Sequence, residues 1–284
     1  MKKLTAMILC VLLLLGSVCA AAFAQDDAPL YVVLGDSIGY GSGLSNAREA
    51  CYGRIVADTN GYGYANHAIP GHTTQQLLGR LQEPGVRSDV TAADLISISI
   101  GGNNFLLGNI VALLYDGIVR EDYSRFDRIA EGFYTDLCTI IETIRDLNPD
   151  ALLLMQTIYN PQVGDVGAVY QQGADRINAE IRRYDADHPG EIVIVDVAAV
   201  LTDSDTDFAA DRIHPSVAGN EKIAAEILKT LDAQGIETAL TPVINTPGKD
   251  IRLPGAFTDV VDLAGRCFRF LANLRAALLR LLPV

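Results

Sequence analysis

Short apolar runs alternate along the chain with longer segments in which apolar positions recur every three to four residues. The runs have the length and β-branched composition of buried strands, and they lie at 30–34, 65–69, 95–100, 151–157 and 192–197. The segments with helical period lie at 46–57, 74–81, 104–115, 126–147, 167–184 and 216–231. Near-continuous apolar strands separated by helices are typical of a parallel sheet covered on both faces. The pattern therefore predicts an α/β fold with a five-stranded parallel sheet.

The first 24 residues have the pattern of a secretory signal peptide. Lys2 and Lys3 precede an apolar run over 7–18, and small residues then lead to Ala24. The run is shorter than the roughly 20 apolar residues of a membrane-spanning helix, and the final Ala-Phe-Ala is typical of a signal peptidase site. We therefore expect cleavage after Ala24, a mature chain that begins near Gln25, and a secreted protein.

The chain beyond residue 234 departs from the alternating pattern of the predicted globular domain at 25–234. Prolines and glycines are concentrated at 235–255, which predicts a linker or a strap across the surface. An amphipathic helix follows within 256–284, with an apolar face and a face that carries arginines. The apolar face comprises Val260, Leu263, Cys267, Phe270, Leu271, Leu274, Leu278 and Leu281, and the other face comprises Arg266, Arg269, Asn273 and Arg280.

Three interpretations of this C-terminal helix are open. We expect its apolar face to pack on its own domain. The alternatives are self-association with a second copy and peripheral contact with an anionic membrane, whose phosphates the arginines would face. The acidic remainder of the chain opposes contact with anionic lipid.

Composition and charge narrow the class of protein. With 49% hydrophobic and 20% charged residues over 284 positions, the chain can build a packed core and is too apolar to be disordered. Lys and Arg total 22 against 35 Asp and Glu, which gives a net charge of −13. Because nucleic acids are bound by clustered cations, no nucleic acid is expected as a partner.

The cysteines and the acidic motifs predict no metal site. Cys51, Cys138 and Cys267 remain after cleavage and form no Cys-x-x-Cys pair, so a zinc cluster is not expected and at most one disulfide can form. The acidic run at 203–207 is similar to the start of a calcium-binding loop, but Phe208 stands where that loop needs glycine. No metal or other cofactor is expected.

A serine flanked by glycines follows the first predicted strand, in the sequence Gly35-Asp36-Ser37-Ile38-Gly39. The pattern also fits the Gly-x-Ser-x-Gly elbow of α/β-hydrolases. Those enzymes place several strands before the serine, whereas Ser37 precedes every other strand of this chain. Open α/β sheets bind ligands at the carboxyl ends of their strands, so Ser37 is a candidate nucleophile.

A serine nucleophile needs a base and a group that orients the base. Asp211-x-x-His214 precedes the last helix of the predicted domain, and the offset of three residues lets one loop present a carboxylate to the imidazole. Two turns at strand ends, 69–72 and 101–104, offer a backbone N–H after a glycine and a side-chain amide that could stabilise an oxyanion. His72 in the first turn is expected to be a polar residue on the rim of the site.

These sequence blocks together resemble the SGNH hydrolases, also called the GDSL esterase and lipase family. The blocks are Gly35-Asp36-Ser37, Gly71, Gly101-x-Asn103 and Asp211-x-x-His214, and the resemblance covers about residues 29–232. It implies a flavodoxin-like three-layer α/β/α sandwich and metal-free ester hydrolysis. It also implies that Ser37 is the nucleophile, His214 the base and Asp211 its orienting acid. The Ser37 N–H, the Gly71 N–H and the Asn103 side chain would be the oxyanion donors.

The chain departs from the family pattern at two positions. Ile38 replaces the leucine that commonly follows the serine, which is a mild apolar change. Asn104 replaces the aspartate that commonly follows the asparagine. Because the implied amide donor is Asn103, we expect the second change to leave turnover in place.

The resemblance implies a secreted serine esterase that acts through an acyl-enzyme. Its similarity to bacterial lysophospholipase-like members and the apolar segment at 105–115 favour lipid or lysophospholipid-type acyl esters. O-deacetylation of a polysaccharide is the alternative. A non-catalytic binding protein on the same scaffold is a third hypothesis, which the presence of every triad residue opposes.

Overall fold

The computed structural model describes residues 28–107, 109–252 and 256–281. The strands are β1 (Leu30–Gly35), β2 (Gly63–Asn66), β3 (Leu95–Ser99), β4 (Leu152–Gln156) and β5 (Val193–Val195). The helices are α1 (Ser37–Tyr40), α2 (Ala47–Ala50), α3 (Tyr52–Asn60), α4 (Thr74–Arg80), α5 (Pro84–Ala92), α6 (Gly102–Leu106), α7 (Ile110–Tyr115), α8 (Ser124–Leu147), α9 (Gly164–Asp187), α10 (Val197–Val200), α11 (Val217–Ala233) and α12 (Ala256–Leu281). A π-helix at Asp116–Arg120 continues α7. The predicted signal peptide lies outside the described residues.

The five strands form one parallel sheet in the order β2-β1-β3-β4-β5. Helices α3 and α11 cover one face, and α4, α5, α8 and α9 cover the other. The predicted α/β sandwich with a five-stranded parallel sheet is confirmed.

Strand β1 shows how the sequence pattern builds this sandwich. Its side chains alternate between the two faces, so that Val32 and Leu34 join the core under α4, α5, α8 and α9. Tyr31 and Val33 join the core under α3 and α11. All four are fully buried, which explains why the strand reads as an uninterrupted apolar run.

Two predicted helices are broken in the structure. The segment predicted as one helix at 46–57 forms α2 and α3, because Cys51 between them has extended backbone. The backbone N–H of Tyr52 then donates to Asn220 Oδ1 at 3.0 Å, a contact with α11 that the local pattern does not contain. The helix predicted at 104–115 is likewise wrong, since α6 ends in extended backbone at Leu107 before α7 begins.

The second strand begins two residues earlier than predicted. It pairs with β1 over 63–66, and hydrogen bonds to β1 continue beyond its end through the N–H groups of His67 and Ile69. Helix α5 was not predicted, because its sequence combines a proline start with few apolar positions. Pro84 occupies the first helical position, where its missing N–H costs no hydrogen bond.

The segment at 236–252 forms no helix or strand and runs along the surface. Ser45 N donates to Lys249 O at 2.7 Å, and Leu44 and Asp250 form an isolated antiparallel bridge. The carboxylate of Asp250 accepts from Val217 N at 2.7 Å and so caps the start of α11. The segment therefore ties the loop after α1 to α11.

Helix α12 packs on α7, the π-helix and α9, but not through the predicted apolar face. The contacts come from Val261, Ala264, Phe268 and Ala272, while the large residues of the predicted face are exposed. The expectation that this face packs on its own domain is wrong. The physical reason is that α12 approaches α9 closely, since a Cβ on Gly265 would lie 2.5 Å from Val166 Cγ2 of α9. The side of α12 that carries Gly265 therefore faces the domain.

Cys51, Cys138 and Cys267 are free thiols. They are buried, half-buried and exposed, respectively. Among the described helices, none combines the length and the apolar character that a membrane span requires.

Candidate active site

Ser37 lies at the start of α1, immediately after β1 at the carboxyl end of the sheet. A Cβ on Gly35 would lie 2.0 Å from Ser99 O, so only glycine allows β1 to turn this closely past β3. Asp36 N donates to that same carbonyl at 2.9 Å, and Asp36 Oδ1 accepts from Ile38 N at 3.0 Å. These contacts fix the backbone on both sides of the serine.

Asp211 and His214 form a hydrogen-bonded pair in the loop before α11. His214 Nδ1 lies 2.6 Å from Asp211 Oδ2, so Nδ1 carries the proton and Nε2 is free to accept one. Asp211 Oδ1 accepts from the backbone N–H groups of Ile213 and His214, both at 3.0 Å. Burial alone would raise the pKa of the Asp211 carboxyl, but these hydrogen bonds outweigh it and lower the pKa below its ordinary value. Asp211 is therefore an anion at neutral pH.

Helix α12 contacts this loop directly. Thr258, which is buried, donates its hydroxyl to Asp211 O at 2.6 Å. Arg212 has a left-handed backbone, with φ of 57°, and its guanidinium bonds to Asp259 and Asp262 of α12. A non-glycine residue is rare in this conformation. The C-terminal helix thus holds both the backbone and a side chain of the loop that carries Asp211 and His214.

Close packing brings the His214 loop against the loop that follows Ser37. A Cβ on Gly43 would lie 1.9 Å from Pro215 O, so the two loops approach as closely as glycine permits. Ser37 and Ile213 line the same cavity. Within the described ranges the Ser37 hydroxyl makes no hydrogen bond, and such bonds in free enzymes often tighten only when substrate binds.

The two turns predicted to stabilise an oxyanion are joined by a hydrogen bond. Asn103 Nδ2 donates to His72 O at 3.0 Å, and Asn103 lines the cavity of Ser37. An amide has two N–H groups, so one remains for a ligand. Gly71, with φ of 86°, turns the chain between Ile69 and His72, and a Cβ there would meet nothing within 4 Å.

Asn104 has a structural role at the position where the chain departs from the family pattern. Its Oδ1 accepts from Thr74 N at 3.2 Å, and its Nδ2 donates to Thr74 Oγ1 at 2.8 Å. The Thr74 hydroxyl in turn donates to Asp136 of α8. Asn104 therefore fixes the start of α4 beside the turn that contains Gly71.

Among the described residues, the other histidines form no hydrogen bond with Ser37 or Asp211. His67 bonds to Asp89, and His188 stacks on Tyr184 at a centroid distance of 4.5 Å. Burial, followed by the charge of Arg80, lowers the pKa of His72. His72 is then neutral at pH 7 and contributes its backbone carbonyl to the site.

Asp36 is a further candidate functional residue. The sequence did not indicate that its carboxyl would titrate near neutral pH. Its side chain is buried next to Ser37, and burial raises the pKa of Asp36 to about 7. The hydrogen bond from Ile38 N and the charge of His214 oppose this increase. The sequence signal was the acid directly before the serine, at a strand end where water is excluded.

The cavity at Ser37 continues into an apolar recess between α6, α7 and α9. Gly102, Leu106, Ile158 and Tyr170 line both parts. The inner recess is lined further by Phe105, Ile110, Leu113, Phe126, Val169, Gly173 and Ala174. Ile158 and Tyr170 were also missed, because they follow β4 in a segment without a recognisable motif.

The fold and the site define a class of α/β sandwich with a serine at the end of β1 and an Asp-His pair before the last helix of the sandwich. The sequence matches the GDSL-like Lipase/Acylhydrolase family over residues 33–222. The chain belongs to this family, whose activity is ester hydrolysis in general.

Solved structures similar to this chain include lipases and a carbohydrate esterase. A lipase from a goat rumen metagenome has a TM-score of 0.57 at 21% identity, covering 71% of this chain and 97% of its own. Phospholipase A1 from Streptomyces albidoflavus has a TM-score of 0.55 at 19% identity, covering 72% and 99%. A family 3 carbohydrate esterase from Clostridium thermocellum has a TM-score of 0.50 at 20% identity, covering 72% and 96%. These likenesses show the shared fold, which hosts more than one substrate class.

Proposed function

We propose that the protein is a secreted serine esterase that hydrolyses lipid or lysophospholipid-type acyl esters. The observation that carries this proposal is the apolar recess that opens from the cavity of Ser37. An acetyl group would not reach the recess, whereas a short alkyl chain would contact apolar side chains such as Phe105, Leu113 and Val169. Each buried methylene contributes about 0.8 kcal/mol, so the recess favours longer acyl chains.

The reaction would proceed through an acyl-enzyme. Ser37 Oγ attacks the ester carbonyl carbon while His214 Nε2 takes the hydroxyl proton, and the Asp211 carboxylate stabilises the imidazolium. The oxyanion of the tetrahedral intermediate accepts hydrogen bonds from the Ser37 N–H, the Gly71 N–H and Asn103 Nδ2. When the intermediate collapses, the carbon–oxygen bond to the alcohol breaks and His214 returns the proton to the leaving oxygen.

Deacylation repeats these steps with water in place of Ser37. His214 Nε2 takes a proton from the water as the water oxygen attacks the acyl carbon, and the same donors hold the new oxyanion. The bond to Ser37 Oγ then breaks, Ser37 recovers its proton, and the free acid leaves.

The test is a series of p-nitrophenyl esters from acetate to palmitate, with the full chain produced in an exporting bacterial host and EDTA present. We expect kcat/KM to rise by up to about fourfold per added methylene until the recess is filled. Ser37→Ala should lower kcat by about 10⁴-fold or more. N-terminal sequencing of the exported protein checks the expected start at Gln25.

Two outcomes would contradict the proposal. Turnover of acetate alone would favour the alternative, a carbohydrate O-acetylesterase. Equal activity of Ser37→Ala and the wild type would reject the assigned nucleophile.

A matched pair of variants tests the role of the recess. Gly173 lines it, and a Cβ there would meet the Phe105 ring at an ordinary contact distance of 3.5 Å, so Gly173→Ala should narrow the recess without breaking the fold. We expect about a fourfold loss on octanoate and little change on acetate, since about one methylene loses its place. Gly132→Ala on α8 is the control, because nothing lies within 4 Å of a Cβ at Gly132.

A further inference from the structure

Helix α12 leaves a row of large apolar side chains in solvent. Val260, Leu263, Phe270, Leu274 and Leu278 are exposed by 46–67%. They lie on the side of α12 turned away from Val261, Ala264 and Phe268, which hold the helix to its domain. We call these five residues the outer apolar face. Apolar surface concentrated in this way is typical of an interaction site.

The outer apolar face has a neighbour on α7. Val111 and Tyr115 lie one turn apart on that helix and are exposed by 51% and 41%. The Tyr115 ring meets Phe268 of α12 edge to face, at a centroid distance of 5.6 Å. Tyr115 is thus joined to α12 through Phe268, and both helices leave apolar residues exposed.

This surface adjoins the entrance to the candidate active site. A recess between α7 and α12 is lined by Ile110, Thr258 and Val261. Ile110 directly precedes the exposed Val111, and Val261 directly follows the exposed Val260. The same recess contains Leu106, Tyr170 and Ile213, which also line the cavity of Ser37. An occupant of the apolar surface would thus lie next to the path into the site.

The charges on α12 favour phosphate groups as neighbours. From Leu263 to Leu281 the helix contains four arginines and no acid. Arg269 is paired with Asp165, and Arg275 donates to Val119 O. The remaining two, Arg266 and Arg280, are exposed and form no ion pair within the described part of the chain. Both lie on one side of the outer apolar face, where anionic groups beside that face could pair with them.

These features distinguish a lipid surface from a second copy of the chain. In a symmetric pairing of two outer apolar faces, the acids of α12 that could meet Arg266 and Arg280 are Asp259 and Asp262 of the other copy, and both already bond to Arg212 of their own chain. A phospholipid surface supplies both hydrocarbon and phosphate. Because the chain has a net charge of −13, strongly anionic membranes would repel it, and zwitterionic headgroups suit it better.

We propose that the outer apolar face of α12, together with Val111 and Tyr115, docks on a phospholipid surface of mainly zwitterionic headgroups. Docking there sets the recess between α7 and α12 against the lipid, so that an ester-bearing lipid enters the cavity of Ser37 from the surface. The docking itself stands on the exposed residues, whereas the entry of substrate rests on the proposed function.

Vesicle flotation tests the docking in the full chain carrying Ser37→Ala, which cannot consume lipid. We expect binding to phosphatidylcholine vesicles, and at least a tenfold weaker partitioning for Phe270→Ser with Leu274→Ser, since about two large apolar side chains no longer enter hydrocarbon. Both residues are exposed, so the double variant should fold normally. Leu240→Ser with Val243→Ser is the matched control, because those side chains are exposed by 58% and 43% on the segment at 236–252.

Activity assays with Ser37 present separate the docking from the chemistry. The double variant on α12 should hydrolyse soluble p-nitrophenyl butyrate at the wild-type rate and lose at least about tenfold on an ester lipid presented in the same vesicles. Vesicle binding without hydrolysis of any ester would reject the proposed function and leave the docking in place.

Three results would overturn the docking. The wild type could fail to float with vesicles, or the double variant could float as well as the control. Sedimentation could also show a dimer that only the double variant on α12 converts to monomer, in a protein that does not bind vesicles. That last result would assign the outer apolar face to a second copy.

Discussion

Two amphipathic helices, α11 and α12, contact the loop that carries Asp211 and His214. They pack on the rest of the protein through different kinds of residue. Helix α11 buries its large apolar residues, and Ile223, Ile227 and Leu231 are fully buried against the sheet. Helix α12 packs through smaller positions such as Ala264 and exposes its row of large apolar residues. Amphipathic pattern alone therefore does not state which face of a helix meets its own domain.

The difference follows from what each helix covers. One face of a parallel sheet is a continuous apolar surface, so a helix laid on it gains most by inserting its largest side chains. Helix α12 instead lies on other helices, where Gly265 brings its backbone against Val166. Close approach of two helices selects small residues at the contact, and the large residues are then left for another partner.

The first prediction compares truncation of a large apolar residue on each helix. Ile227→Ala on α11 removes a fully buried side chain and should lower the free energy of unfolding by about 2–5 kcal/mol. Leu274→Ala on α12 removes a side chain that is 46% exposed and should change it by less than about 0.5 kcal/mol. Urea unfolding followed by circular dichroism measures both.

Similar losses of unfolding free energy in the two variants would contradict this difference between α11 and α12. They would mean that the outer apolar face of α12 is buried in solution, by the chain itself or by a second copy. Repeating the measurement at two protein concentrations distinguishes these cases, because only self-association makes stability depend on concentration.

The second prediction concerns the charge of Asp36 inside the sandwich. Because burial raises its pKa to about 7 in the folded protein, the folded state retains a proton that the unfolded chain loses near its ordinary value of 3.8. The wild type should therefore lose stability as the pH rises from about 4 to about 7, by at most about 4 kcal/mol. Asp36→Asn keeps an oxygen that can accept from Ile38 N and has no such loss.

The measurement is the difference in unfolding free energy between Asp36→Asn and the wild type at pH 5 and at pH 8. The variant should be more stable relative to the wild type at pH 8 than at pH 5, because the wild type carries a buried charge on Asp36 at pH 8. Because the charge of His214 acts on Asp36, the difference measures the Asp36 carboxyl together with its interaction with His214. A difference that does not change with pH would show that Asp36 is already ionised at pH 5.

The sandwich was predictable from the sequence because each buried strand and each helix on the sheet has one stable way to cover apolar surface. The parallel sheet and the positions of Ser37, Asn103, Asp211 and His214 at strand ends follow from that pattern and from short motifs. The strand order does not follow from the pattern, and only the flavodoxin-like fold that the resemblance implies bears on it. The breaks at Cys51 and Leu107 do not follow from the pattern either, because they depend on contacts with distant residues such as Asn220. The side on which α12 packs and the recess between α6, α7 and α9 depend on packing in the same way.

The third and smallest prediction tests whether α12 contributes to the catalytic loop. Thr258→Val keeps the shape of the side chain and removes the hydroxyl that donates to Asp211 O at 2.6 Å. The buried carbonyl of Asp211 then lacks this donor, which costs about 1 kcal/mol. If that cost appears as a less well ordered Asp211-His214 pair, the rate falls by roughly fivefold. We expect kcat on p-nitrophenyl butyrate to fall by that factor with KM unchanged, because the loop orients the base and does not bind the acyl chain.

Thr258→Ser is the control, since it retains the donor and should restore most of kcat. This pattern would identify Thr258 as a positioning residue that acts through Asp211. An equal loss in the serine and valine variants, or a change confined to KM, would instead mean that Thr258 matters only as packing in the recess that it lines with Val261. The sandwich would then supply the geometry of the catalytic loop alone, and the role of α12 would be limited to the surface that it presents to a partner.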